Sequence, residues 1–208
     1  MAYQTLKIAK EQKLDIEKAL FDNNARVAGD ATTARELAGT ETWFTSTIQN
    51  KGSGGAHAAG TGADARTDGT QTAFDQDKFD AIMQNCWEKG GKPDSVYLSA
   101  YLMNLALAFT GNNNQRSSVQ AGDKKVIKSL DVYVTPWGTI EFIPSRENRG
   151  RTVHVMQDDM WAVAVLRGTK NVELAKTGDN STRQVVTELT LVAKNEKSSG
   201  LGVDFSTS

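Results

Sequence analysis

At 208 residues the chain has the length of one large domain and can hide about 70% of the surface that its unfolded form exposes. A formal net charge of -1 with 38% hydrophobic residues excludes both a disordered chain and a basic protein drawn to polyanions. The longest apolar stretches, near Tyr97 to Phe109 and Trp161 to Leu166, fall short of the ~20 residues that a membrane helix needs. The opening MAYQTLKIAKEQK has neither the apolar block nor the cleavage site of a secretory signal. Cys86 is the only cysteine, so an internal disulfide and a thiolate metal cage are both excluded. His57 and His154 lack the helical spacing of a zinc pair.

From Ala2 to about Ala28 there is no proline or glycine, and Leu6, Ala9, Ile16 and Leu20 fall at steps of three and four. One long helix is expected, lying on a surface with one seam buried and stopped by Asn23, Asn24 and Gly29. The stretch from Thr32 to Ile48 fits a short helix or a strand equally well. Residues 50–73 are rich in Gly, Ala and Thr, carry almost no large apolar group, and read as a long exposed loop.

Phe79, Ile82, Met83, Cys86 and Trp87 then recur with helical period, with Asp75 as N-cap and Gly90-Gly91 as terminator. On that stripe Trp87 is expected in the core, where its truncation to alanine would cost roughly 3–5 kcal/mol. Pro93-Asp94 turns the chain into a short strand at Val96 to Leu98, and Ser99 caps a third helix carrying Leu102, Leu105, Ala106 and Phe109. After a polar loop the period becomes two. Leu130, Val132 and Val134 alternate against Asp131, Tyr133 and Thr135, and Pro136-Trp137-Gly138 closes a hairpin onto Ile140 and Phe142. Further strands are expected at Val153 to Met156, Trp161 to Leu166 and Arg183 to Lys194. Helices first and strands afterwards make the fold class α+β, without internal repeats.

Candidate chemistry is sparse. GSGGAHAAGTG lacks the strand before it and the Lys-Ser/Thr helix after it that a phosphate loop requires. Asp158-Asp159 reads as a turn in preference to a divalent-ion site, because no third oxygen ligand lies nearby in sequence. Cys86, on an apolar helix face, reads as inert core. Arg146, Arg149 and Arg151 with Lys124, Lys125 and Lys128 offer a basic strip. The interspersed Glu141, Glu147, Asp158 and Asp159 favour inter-subunit ion pairs over phosphate contacts. Trp43, Trp87, Trp137 and Trp161 are too scattered for a base-stacking platform and suit core or interface anchors. No catalytic, cofactor-binding or metal residue is assigned, and a small hydrolase or nucleotide-binding enzyme has no residue set to support it.

Three motifs occur in order over the last ninety residues: LDVYVTPWGTIEFIPSR from Leu130 to Arg146, DDMWAVAVLR from Asp158 to Arg167, and ELAKTGDNSTRQVVTELTLVAKNEKSSG from Glu173 to Gly200. Their combination and spacing resemble the major capsid proteins of tailed phages. The Pro93 to Gly111 segment and the first helix with DNNARVAG extend the resemblance over most of the chain. It implies an HK97-like fold with a long spine helix, a peripheral-domain sheet and an axial domain. Residues 1–91 would then hold the spine helix and the first part of the peripheral domain, with the exposed loop 50–73. Residues 92–167 would form the axial domain, and 168–208 the returning peripheral strands. Family members carry an amino-terminal arm and an extended β-hairpin, the E-loop, before the spine. This chain starts at the helix, so both grips are expected to be absent.

The role implied is structural and not enzymatic: copies of the chain would form the pentamers and hexamers of an icosahedral shell around double-stranded phage DNA. The expected location is the virion, reached from the host cytoplasm during assembly. Scaffold, portal or decoration proteins are possible further partners, DNA would be contacted only non-specifically, and no membrane is involved. The alternative is an encapsulin-like nanocompartment subunit holding cargo proteins; a terminase and portal encoded nearby would favour the phage, a cargo enzyme the compartment.

Overall fold

The computed structural model describes residues 2–109, 132–176, 178–179 and 182–207. Helix α1 spans Ala2–Phe21 and stops before the expected Ala28. The Asp22 carboxylate accepts the Asn23 N–H at 2.7 Å, and the Asn24 carbonyl accepts Gly39 N–H at 2.9 Å, so the polar run binds backbone in a non-helical conformation. The chain returns through a bridge between Val27 and Glu36 to a short 3-10 turn at Thr40–Trp43 and to strand β1, Ile48–Gln49.

Helix α2 runs Gln76–Glu88, with the Asp75 side chain accepting Lys78 N–H at 3.0 Å as its N-cap. Its end is closed by Gly90 in the left-handed region, φ 84°, and by Gly91 N–H donating to the Cys86 carbonyl at 2.9 Å. Strand β2, Ser95–Leu98, leads into α3, Ala100–Ala106, capped by Ser99 as expected. Strands β3 (Val132–Thr135) and β4 (Gly138–Pro144) form the anticipated hairpin. Then follow β5, Val153–Met156; β6, Trp161–Glu173; β7, Arg183–Ala193; and β8, Gly200–Gly202.

Two sheets result. A six-stranded mixed sheet has the order β1-β8-β5-β2-β4-β3, while β6 and β7 pair only with each other as an antiparallel ribbon. The boundary expected between 167 and 168 falls inside β6, and β8 joins the same sheet as β2 and β5. Helices α2 and α3 bury their apolar sides on that sheet. The core centres on Phe79, which meets Phe142 at 5.4 Å and Tyr133 at 5.8 Å between ring centroids, with Phe74, Phe109 and Phe205 completing the aromatic layer. A Cβ on Gly200 would stand 2.6 Å from Ile82 Cγ2 and 2.7 Å from Cys86 Sγ, so the bare backbone of β8 is what lets α2 sit down on the sheet.

Four expectations need correction. Trp87 is 58% exposed, because Ile82 and Cys86 already fill the contact with β8 and the next residue is turned away by about 100°. On β3 the alternation runs in the other sense: Tyr133 and Thr135 are buried and Val134 is exposed, with the Tyr133 hydroxyl satisfied by Gln76 Nε2 at 3.1 Å. The seam of α1 is only half closed, since Ile16 and Leu20 are partly buried while Leu6 is 65% exposed. Finally, loop 50–73 is not simply exposed: Gly52, Ala58, Gly62 and Arg66 are buried, and the loop lies on the body through charge and close backbone contact instead of apolar area.

These packing differences give distinct mutational costs. Phe79→Ala should cost about 3–5 kcal/mol of unfolding free energy in a denaturant titration, and Trp87→Ala less than about 0.5 kcal/mol. Gly200→Ala should cost about 1–3 kcal/mol through overpacking against Ile82 and Cys86.

Candidate assembly surfaces and a buried ion cluster

The most concentrated chemistry in the molecule is an ion cluster assembled from five separate segments. Arg66, fully buried in the loop, donates through Nε to Glu41 Oε2 at 2.8 Å and pairs through Nη2 with Asp68 at 2.7 Å and Asp204 at 3.3 Å. Arg149 reaches the same Glu41 oxygen at 2.7 Å and Asp68 at 2.5 Å, while Arg151 donates to Asp204 Oδ1 at 2.8 Å and to the Gly69 carbonyl at 2.6 Å. Asp22, at the end of α1, lies 3.9 Å from Arg149 Nε. Each guanidinium fork thus joins two or more carboxylates, the geometry that makes buried charge tolerable.

Asp204 adopts a left-handed backbone, φ 61°, and accepts Gly52 N–H at 3.0 Å. Its carboxyl lies below the ordinary value: burial pushes it up, but the Gly52 and Gly69 amides and the Arg66 guanidinium outweigh that push. Burial drives the Glu41 carboxyl upward against the pull of Arg149 and Arg66. Beside the cluster His154 is fully buried, its Nε2 3.0 Å from Thr40 Oγ1 and its ring edge against Phe21. Burial, with Arg149 and Arg66 nearby, lowers it to about 3, so it stands neutral at physiological pH.

This arrangement corrects the reading of the arginines. Arg149 and Arg151 pair within their own chain with Glu41, Asp68, Asp204 and Asp22, and not with Glu141, Glu147, Asp158 or Asp159. Arg146 is exposed, and Lys124, Lys125 and Lys128 lie outside the described residues. Glu41, Arg66, Asp68 and Asp204 were not singled out from sequence. The one available signal was an arginine between Asp64 and Asp68 in a stretch without an apolar anchor.

The remaining candidates lie apart. Asp158 and Asp159 sit in a 3-10 turn between β5 and β6, where Asp158 Oδ2 accepts Ser95 Oγ at 2.8 Å. Burial pushes the Cys86 thiol up to about 12, which leaves no thiolate at neutral pH. His57 is exposed in the loop, far in sequence from the buried His154. Trp161 donates Nε1–H to Ser199 Oγ at 2.9 Å and packs on Phe44, and Trp137 borders the main core. Among the described residues no three His, Cys, Asp or Glu side chains converge as a metal site would require.

The outside of the molecule carries a different signal. An open groove of about 1000 Å³ separates α1 from the β6–β7 ribbon, with Ile16, Val27, Leu37, Val165 and Leu189 on its walls. Apolar side chains stand in water along both elements: Tyr3, Leu6 and Leu14 on α1; Val163, Val165, Leu166 and Val172 on β6. Leu166 is 76% exposed, at a register irregularity between Val165 and Arg167. Apolar display on this scale is the kind of surface through which proteins commonly meet.

A buried ion cluster, apolar groups displayed externally and an α+β body suit a protein that works through contact with other proteins. The sequence profile of the SU10 major capsid protein family matches residues 1–206, and the chain belongs to that family: it is a phage major capsid protein. Among solved structures, the capsid asymmetric unit of cyanophage A-1(L) superposes with TM-score 0.64 at 12% identity, over 98% of this chain and 70% of that one. The SrpI encapsulin of Synechococcus elongatus PCC 7942 gives TM-score 0.41 at 11% identity, over 67% of this chain and 53% of that one. No curated protein sequence matches.

The environment of His154 predicts a pH signature. Its folded value lies below the ordinary 6.5, so the stability it contributes is complete above about pH 6.5 and is lost as pH falls toward 3. The His154 contribution should therefore decline by about a few kcal/mol across that window, and His154→Gln should flatten the slope between about pH 6.5 and 5, above the range of Asp204 and Glu196, while Glu41, whose carboxyl is pushed upward, acts in the opposite sense in both proteins.

Proposed function

We propose that copies of this chain tile laterally, as pentamers and hexamers, into the closed icosahedral head that encloses double-stranded phage DNA. The peripheral part of each tile is α1 with the β6–β7 ribbon. The axial part is the six-stranded sheet with α2 and α3, drawn mainly from residues 92–167 and completed by β1 and β8. Support comes from the groove whose walls α1 and the ribbon share and from the main core that joins α2 and α3 to the sheet. The observation that carries the reading is family membership over residues 1–206 combined with apolar side chains exposed on the peripheral elements.

Repeated contacts of one kind between identical copies close into rings, and many weak contacts acting together hold a shell. Enclosure without sequence reading fits arginines turned inward onto carboxylates. The role is structural, the place of action is the virion after assembly in the host cytoplasm, and scaffold, portal or decoration proteins are the further partners proposed.

Electron microscopy and light scattering of the purified protein test this. Rings or shells are expected to form with rising concentration, and Leu166→Asp should reduce the assembled fraction at least tenfold while leaving the melting temperature within a few degrees. A protein that stays monomeric at every concentration, alone and with the other head proteins of its phage, contradicts the proposal. Particles isolated with protein cargo in place of DNA would instead mark a nanocompartment.

A further inference from the structure

Residues 51–70 combine two properties that rarely go together: a defined internal shape and almost no apolar attachment. Internally, Ala56 and Thr67 exchange both backbone hydrogen bonds at 3.0 Å, Thr70 N–H donates to Ser53 at 3.0 Å, and Ala59 N–H is held by the Asp64 carboxylate. The two ends touch, since a Cβ on Gly69 would stand 2.7 Å from the Gly52 carbonyl oxygen. Externally, the only buried side chains of the stretch are those of Ala58 and Arg66. Attachment to the body runs through the Arg66 side chain, the Asp68 carboxylate paired with Arg149 at 2.5 Å and Arg151 at 3.2 Å, the Gly69 carbonyl accepting from Arg151 at 2.6 Å, the paired hydrogen bonds between Arg66 backbone and the Asn23 amide at 2.8 and 2.9 Å, Arg26 N–H to Gly62 carbonyl at 2.8 Å, and Gly52 N–H to Asp204.

We infer that residues 51–70 are a preformed flap, latched by Arg66, that opens from the body as a unit while the six-stranded sheet stays folded. The physical reason is the weak net value of buried ion pairs. When one partner alone is removed, its counter-charge is stranded; when the flap lifts whole, water reaches both sides and the cost of desolvation is recovered. A segment held by such pairs and by hydrogen bonds, with little apolar area, opens at a lower free energy than a core held by Phe79, Ile82 and their neighbours. The hinge lies just outside the flap, at Asn50 with its left-handed φ of 58°, and the contact of Gly52 with Gly69 over Asp204 is the base of the flap that lifts with it. Opening uncovers Glu41, Arg149, Arg151 and Asp204 together, so the flap hides a ready-made patch of both charges. This rests on the geometry of a single subunit and is independent of what the shell encloses.

Native-state hydrogen exchange of the full chain, corrected for intrinsic rates, tests the latch. The amides of Arg26, Gly52 and Arg66 report flap opening; those of Val153 and Val155 in β5 report the core. In the wild-type protein the flap reporters should exchange at least tenfold faster than β5. Arg66→Gln should accelerate Arg26 and Gly52 at least tenfold further, with β5 unchanged. Equal rates at flap and β5, or acceleration of both together in the variant, would overturn the inference, as would failure of Arg66→Gln to fold. Flap amides that are fast in the wild type but indifferent to the substitution would equally remove Arg66 as the latch.

Discussion

A two-stranded ribbon is marginal in water, and this chain carries one of more than ten residues per strand with much of its apolar surface uncovered. That constraint organises the molecule. Helix α1 closes part of one side, tied down at its carboxyl end where Ser145 donates to Glu17 at 2.7 Å and Phe21 packs against Tyr97 and, edge-on, against His154. Leu6, Leu14, Val165 and Leu166 remain in water. In a subunit that works alone such a surface would be a liability toward aggregation; in the assembly proposed above it is a contact face.

Inside the body the opposite policy holds. Arg149 and Arg151 are gathered with Arg66 around Glu41, Asp68 and Asp204 and paired there. The cluster connects the end of α1, the 3-10 turn, the loop, the link between β4 and β5, and the carboxyl-terminal segment. It fixes the outline of the tile where apolar residues are too few to do so. Buried ion pairs contribute modestly to stability, but removing one partner alone strands its counter-charge, so the five segments depend on one another.

What the sequence revealed and what it concealed divide along the range of the interactions. Helices α2 and α3, with caps at Asp75 and Ser99, the hairpin at Pro136 to Gly138 and the long strand β7 were legible, since period and turn chemistry act within a few residues. The stripe on α2 did not show where it ends: Cys86 and Trp87 are both apolar, and only the approach of Gly200 on β8 decides that the first is buried and the second is not. On β3 the period was clear but its sense was not, since Tyr133 and Val134 are both at home in a core. The ion cluster was illegible for a simpler reason: Arg66 finds Glu41 across 25 positions and Asp204 across 138. No local pattern encodes a partner at that distance.

On the proposed reading, copies of the chain meet through α1 and the β6–β7 ribbon. Hydrogen-exchange footprinting of free and assembled protein addresses it most directly. Strong protection on assembly is expected at the amides of Val163 to Leu166 and along the first half of α1, with the exposed face of α2 around Trp87 changing less. Protection confined to other surfaces, with Leu166 and its neighbours exchanging equally in both states, would contradict it.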